Sequence, residues 1–257
     1  MSKPLILVTN DDGIQAPGLA MLSGIMRDYG RVIVIAPQDP MSGMSHAVTV
    51  KVPLRIKTLI KEEGFEMYSC NGTPVDAVKL GQKVILHHKP DLVVAGINHG
   101  SNSAINILYS GTMAAVIEAT IEGIPAVGFS LTDYSPQADF SACAKYVKVI
   151  VEKVMKQGLP AATCLNVNIP DVAAEEIRGI KICKQGRGTW DEEFDERKDP
   201  RNRDYYWLTG LFKTYENGHD TDVWALSNKY VSVVPVHLDF TNHQAIAEIK
   251  KWNLHVE

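Results

Sequence analysis

The chain has 257 residues, 26 Lys and Arg against 30 Asp and Glu, a net charge of −4, and 45% hydrophobic against 22% charged residues. That is the make-up of an ordinary globular protein, large enough to bury its own core without staples. Its mild acidity excludes polynucleotide binding as the main task, because no basic field is present to displace counterions from a nucleic-acid backbone.

No run reaches the roughly 18 apolar residues that a membrane span needs, and residues 5–8 are too few for the apolar core of a signal peptide. The expected compartment is therefore the cytoplasm, with no membrane partner. Cys70, Cys143, Cys164 and Cys183 form no CxxC pair, so four reduced, buried thiols are expected rather than a zinc site or redox dithiol.

In chain order, residues 5–9 form a short β-branched apolar run, punctuated by Asn10-Asp-Asp-Gly13 and followed by a helix-like stretch over 17–29 that ends at Gly30. Strand, turn and helix follow from that pattern. A second strand over 31–36 stops at Pro37, and a polar loop covers 38–45. Residues 54–59 and 66–70 predict a hairpin on the side of the sheet, turning into Asn71-Gly72. A helix from Pro74 runs to Lys89-Pro90, and residues 91–96 are again a buried-strand run. After a polar loop over 98–110 come a helix over 112–122, a strand over 126–130 and a long helix over 140–156. This rhythm predicts an α/β fold: a Rossmann-like three-layer core with a mostly parallel sheet.

The last third differs. Strands are expected over 164–169 and 177–183, then a charged, turn-rich stretch over 186–204 with Trp190, Tyr205, Tyr206 and Trp207 around it, then a strand over 231–236 and a helix over 244–251. We expect a single domain over 1–257, with an α/β core over 1–160 carrying the site. Residues 161–257 would add a β-rich hairpin or arm for oligomerisation. Aromatic residues on an arm more often pack on a partner chain than close over a ligand.

Ligands of open parallel sheets bind outside the carboxyl ends of the strands, so the loops after Thr9, Ala36 and Gly96 should converge. They carry Asp11 and Asp12, then Ser42 with Asp39 nearby, then Asn98, His99, Ser101 and Asn102. Adjacent carboxylates repel unless a cation lies beside them. With neutral hydroxyl and amide oxygens they make a set that suits Mg²⁺ or Mn²⁺ better than zinc. Asn10-Asp-Asp-Gly13 also reads as a plain turn that caps the next helix, and the residues alone leave both readings open. Tyr109-Ser-Gly-Thr112 at a helix start is an anion site or a simple N-cap. Asn71-Gly-Thr-Pro74 has the same ambiguity, with Thr73 as cap. His46 and His99 are candidate proton donors or phosphate contacts.

Several motifs are excluded. Gly13 and Gly18 have P-loop spacing, but Leu19-Ala20 replaces the Lys and Ser/Thr. Gly186-Arg-Gly188 is followed by Asp191 where a dinucleotide fingerprint wants glycine or alanine. Asp11-Asp12 is not the alternating pair of aspartyl-phosphate enzymes, and no Gly-x-Ser-x-Gly elbow is present. Metal-assisted attack by water, with no covalent enzyme intermediate, remains.

Val8-Thr-Asn-Asp-Asp-Gly-Ile14, Ala36-Pro37 with Ser42-Gly43, Asn71-Gly-Thr-Pro74, Gly96-Ile-Asn98 with Gly100 and Asn102, and Tyr109-Ser-Gly-Thr112 occur in this order. Together they closely resemble the SurE family of survival-protein nucleotidases, over the chain from its start to about Phe129. The resemblance implies a divalent-metal-dependent phosphatase acting on nucleoside 5′-monophosphates, also on 3′-monophosphates and short polyphosphate. It implies one metal ion per subunit on Asp11, Asp12, Ser42 and Asn98, and phosphate held by Asn102, Ser110, Gly111 and Thr112. It further implies a homodimer or homotetramer built through the C-terminal region. The chain departs from the family pattern at Asn106-Ile107, where an acidic residue is common, and at Ala119, where glycine is usual.

In the mechanism this suggests, Asp11 and Asp12 are the catalytic pair, and one of them, Asp12 by preference, takes the water's proton. The arm around Arg187, Trp190 and Arg203 is expected to bridge subunits rather than cover the base. A non-catalytic nucleotide or phosphate sensor using the same crevice is the alternative.

Overall fold

A computed structural model describes residues 3–216 and 218–254 of the chain. Its first half runs β1 (Leu5–Thr9), α1 (Pro17–Met26), β2 (Arg31–Pro37), β3 (Ile56–Glu62), β4 (Phe65–Cys70), α2 (Pro74–Leu80), β5 (Leu92–His99) and α3 (Gly111–Ile121). The second half runs β6 (Ala126–Leu131), α4 (Cys143–Gln157), β7 (Thr163–Ile169), β8 (Ile180–Ile182), β9 (Gly188–Lys198), β10 (Asp204–Thr214), α5 (Asp222–Ser227), β11 (Val231–His237) and α6 (His243–Lys250).

Nine strands form one sheet in the order β3-β4-β2-β1-β5-β6-β7-β11-β8. The six from β4 to β7 are parallel, while β3 and β11 run antiparallel to their neighbours β4 and β7. The central strand β1 is buried at every position because both of its faces are covered, as helix-flanked parallel strands require. Ile6 and Val8 join Leu19, Leu22 and Met26 of α1 and Val147 and Val151 of α4 in one core. Leu5 and Leu7 join Ala77 and Val78 of α2 and Met113 and Val116 of α3 in the other. Three layers result, from the two-residue alternation of side chains along a strand. α1 comes so close to β5 that a Cβ on Gly18 would lie 2.0 Å from the Ile97 carbonyl oxygen.

The expected α/β architecture is what the structure shows. The predicted hairpin over 54–70 is β3–β4, and it extends the sheet because β4 pairs in parallel with β2. α1 ends at Met26, three residues short of the expected limit, and α2 passes into a π-type turn over Gly81–Leu86. The strand expected over 177–183 narrows to β8, and α5 has no counterpart among the predicted elements. The charged stretch after Gly186 is a long antiparallel hairpin, β9–β10, forming a sheet of its own. β7, β11 and β8, all from the last third, complete the main sheet.

All four cysteines are buried and unpaired with one another. Burial pushes the Cys70 and Cys164 thiols up to about 11 and Cys143 to about 12, which makes them unreactive. Among the described residues, no helix is long and apolar enough to cross a membrane.

Candidate active site

After β1 the chain moves to β2 on one side, and it returns on the other side with β5. The loops leaving β1 and β5 therefore diverge, and a crevice opens between them at the carboxyl ends of the strands. The start of α3 points into the same place.

Asp11 is the centre. It is 2% exposed, and the Thr112 hydroxyl donates to its Oδ1 at 2.5 Å. Gly111 sits against it so closely that a Cβ there would lie 2.7 Å from Asp11 Cβ and 2.9 Å from Oδ2. Burial pushes the Asp11 carboxyl above the usual carboxylate range, against the pull of the Thr112 hydroxyl and the backbone N–H groups of Asp11, Thr112 and Gly111. Asp12 is fixed by the His99 backbone N–H, which donates to its Oδ2 at 3.0 Å. Burial, then repulsion from Asp11, pushes Asp12 up to about 6.

Asn98 Nδ2 donates to the carbonyls of Gly100 at 2.8 Å and His99 at 3.3 Å, which fixes the amide's orientation and leaves Oδ1 as the oxygen offered to the site. The register shift between β5 and β6 at Ala95–Asn98 re-aims the strand end here. Ser42 is brought in by backbone stapling of its loop. Met41 N donates to the Asp11 carbonyl at 2.7 Å, and Ser45 donates through N to the Tyr109 carbonyl at 3.1 Å and through Oγ to the Leu108 carbonyl at 2.6 Å.

These groups share a cleft of about 280 Å³ whose wall includes Asp11, Ser42, Asn98, Asn102, Tyr109, Ser110, Tyr134 and Trp190. Asp12, Gly111 and Thr112 act from behind that wall. Thr73 is the cap of α2 in a reciprocal capping box with Asp76, and Ser110 Oγ caps α3 by accepting from Met113 N at 3.0 Å. Asn10 Nδ2 closes the 10–13 turn onto the Gly13 carbonyl at 2.9 Å. The turn and cap readings are thus correct locally; the 10–13 and 109–112 segments also supply residues to the cleft wall, whereas 71–74 does not.

Of the other candidates, His99 and Ser101 line the cleft and the rest lie elsewhere. Asp39 is exposed and outside the cleft wall. His46 accepts or donates at 3.0 Å with Glu118 and faces a neighbouring apolar hollow that contains Ile117, Ile121 and Phe240. The His99 ring is tied through Nε2 to the Ser135 carbonyl and lies edge-on to Phe140. Arg203 closes the hairpin tip on Asp199.

Sequence reasoning missed several supports. Asn166 and Asn168, two apart on β7, clamp the backbone of Asn102: Asn168 Oδ1 accepts from its N–H and Asn166 Nδ2 donates to its carbonyl, both at 2.8 Å. Asn102 Nδ2 in turn donates to Ser130 Oγ at 2.9 Å. Two asparagines at i, i+2 in an otherwise apolar strand were the available signal. Asp222 accepts from the N–H groups of Ala104 and Gly186, each at 2.8 Å. Trp190 Nε1 donates to Asn106 Oδ1 at 2.7 Å, so the root of the arm forms part of the cleft.

The donor set suits a hard divalent cation. It offers two carboxylates, an oriented amide oxygen and a hydroxyl, oxygens only. Both carboxylates are pushed up as they stand, which is the electrostatic signature of a place that a cation would relax. Asn10 Oδ1 and Thr9 Oγ1, buried at the same strand end, have no hydrogen-bond partner among the described residues. No group of three or more His, Cys, Asp or Glu side chains is arranged for a metal among the described residues, as expected where half of the donors are neutral.

The family model for the survival protein SurE matches residues 6–192. The chain is 54% identical over 255 residues to the 5′-nucleotidase SurE of Flavobacterium psychrophilum, covering 99% of each chain. It is also 54% identical over 254 residues to the 5′-nucleotidase SurE of Christiangramia forsetii, covering 98% of each. The crystal structure of the SurE protein from Aquifex aeolicus superposes with a TM-score of 0.83 at 40% identity, over 98% of this chain and 100% of that one.

Proposed function

The chain belongs to the SurE survival-protein family, and from that premise we propose that it is a 5′-nucleotidase, a phosphomonoester hydrolase that depends on one divalent ion, Mg²⁺ or Mn²⁺, per subunit. Its substrates are nucleoside 5′-monophosphates, with 3′-monophosphates and short polyphosphate as further ones. The observation that carries this reading is the cleft lined by Asp11, Ser42 and Asn98, with Asp12 next to Asp11 behind its wall and both carboxyls pushed up.

Asp11, Asp12, Ser42 and Asn98 would hold the ion, which when bound supplies Lewis-acid polarisation of the phosphate and a water acidified toward neutrality. Asp12 is the proton acceptor: its Oδ2 is occupied by the His99 N–H and its Oδ1 remains to take the water's proton. Thr112 spends its hydroxyl on Asp11, and Ser110, which lines the cleft at the start of α3 and whose Oγ accepts from Met113 N, keeps its own O–H to donate to the phosphate. Asn102, immobilised by Asn166 and Asn168, sets the far side of the phosphate position.

The same reading makes the hairpin a joint between copies of this chain, as a homodimer or homotetramer. Register puts Trp190, Phe194, Tyr206, Leu208 and Phe212 on one face of β9–β10, where Phe194, Tyr206 and Leu208 are exposed. The exposed Phe194, Tyr206 and Leu208, which share this face with Glu192 and Glu196, fit a second copy.

Phosphate release from nucleoside 5′- and 3′-monophosphates with added Mg²⁺ or Mn²⁺, repeated with a chelator, tests the reaction. Release abolished by the chelator, and reduced at least a hundredfold by Asp11→Asn in a chain that stays folded, is the expected result. Nucleotide binding without turnover at saturating metal would leave the sensor reading in its place.

A further inference from the structure

Next to the phosphate cleft lies a second pocket of about 510 Å³, lined by Gly43, Tyr109, Trp190, Glu192, Leu208 and the strand at Thr209–Gly210. It shares Gly43, Tyr109 and Trp190 with the cleft, so a phosphate at Ser110 and an aromatic group in this pocket belong to one continuous site. Its size and its apolar wall with a single charged group are those of a ligand pocket.

Its best-defined wall is Trp190. The indole is locked by its hydrogen bond to Asn106 Oδ1 at 2.7 Å and by the Phe212 ring, edge-on at 5.7 Å. An aromatic face whose only polar atom is already satisfied is a stacking platform, and nucleobases stack on such faces whatever their sequence. Asn106 lines the phosphate cleft and orients the Trp190 ring, so it couples the two halves of the site. The pocket's other distinguishing group is the carboxylate of Glu192. The neighbouring cation Lys213 is taken by Asp191 at 2.5 Å, and no cation pairs with Glu192 among the described residues. A carboxylate is an acceptor only, with two oxygens side by side. Among the common bases, guanine alone presents two adjacent donors, N1–H and the 2-amino group, on its Watson–Crick edge. Adenine and cytosine each place an acceptor beside their amino group, and uracil flanks its N–H with two carbonyls.

We propose that this pocket is the nucleobase subsite of the chain, with Trp190 as its stacking wall, Asn106 as the residue that positions that wall, and Glu192 as the group that selects guanine. The proposal rests on the nucleotidase reading above.

The test is a comparison of kcat/KM for GMP, AMP, CMP and UMP, with ribose 5-phosphate as the base-free phosphomonoester, in wild type and in Glu192→Gln, Trp190→Leu, Trp190→Phe and Asn106→Ala, each checked for fold by circular dichroism. Wild type is expected to favour GMP over AMP by about tenfold, and Glu192→Gln to bring that ratio close to one. Trp190→Leu should cut the advantage of every nucleotide over ribose 5-phosphate by about tenfold. Trp190→Phe should restore most of it, and Asn106→Ala should raise KM for nucleotides more than for ribose 5-phosphate. Turnover with no GMP preference, or with ratios unmoved by these variants, overturns the subsite while leaving the nucleotidase intact. No metal-dependent turnover of any of the five phosphomonoesters overturns the nucleotidase reading itself.

Discussion

Gly111 has no room for a side chain against Asp11. A methyl group there would overlap the Asp11 carboxylate, and helix backbone on one side with a buried strand end on the other leaves nothing to yield. Gly111→Ala should therefore displace Asp11, lowering kcat/KM at least tenfold and weakening metal binding, with the thermal midpoint little changed; titration calorimetry with Mn²⁺ checks it. Glu118 is a second residue whose setting can be measured. It is 5% exposed; burial pushes its carboxyl up, but Lys79 and His46 outweigh burial and hold it below its ordinary value of 4.5. A lowered folded value means that the contribution to stability is full above pH 4.5 and is lost as pH falls through the folded value. Glu118→Gln should be less stable near neutrality yet lose less stability on acidification, which thermal melts from neutral to acid pH would show. Asp11 and Asp12 just past β1, Ser42 in the loop after β2 and Asn98 at the carboxyl end of β5 could be proposed from the chain because composition alone marks those strands. Asn166 and Asn168 could not, because a polar side chain on a buried strand discloses its partner only when the neighbouring strand is in place.

Elements show the same division. β1, β2 and β6 could be read almost to the residue, since a strand covered on both faces must be continuously apolar, while β5 runs three residues past its expected end through the polar Asn98 and His99. β9 escaped because Asp191, Glu192, Glu193, Asp195 and Glu196 give it no alternation to read. Its strand character comes from eleven residue pairings with β10. α5 escaped because six residues carry too little periodicity, yet it places Asp222, fully buried, against the N–H groups of Ala104, Gly186 and Val223. That one carboxylate ties the loop before the site to the root of the hairpin. Asp222→Ala leaves these donors without their acceptor and should cost about 3 kcal/mol. At roughly 2–4 °C per kcal/mol for a chain of this size, the thermal midpoint should drop by about 6–12 °C in a calorimetric scan, and nucleotide turnover should fall with it as the cleft wall loosens.

At the scale of the whole molecule, the hairpin gathers exposed apolar residues on two paired strands, whereas others such as Val50, Ile182, Phe240 and Trp252 lie scattered along the chain. Phe194 is 67% exposed and Leu208 61%, paired across the strands on one face. Replacing both with lysine should convert an oligomer into a monomer in sedimentation velocity, with the main sheet intact by circular dichroism; a wild-type chain that sediments as a monomer would refute the joint. The sequence by itself determined the α/β layering, the strand ends that carry chemistry and the oxygen-only donor set, because burial and turn formation act on neighbouring residues and leave their mark locally. Only the tertiary structure decided that Trp190 belongs to the cleft, that Asp39 and His46 do not, and that Asn102 is held from β7. Those outcomes depend on which distant segments meet at the ends of the strands, and a one-dimensional pattern does not encode that meeting.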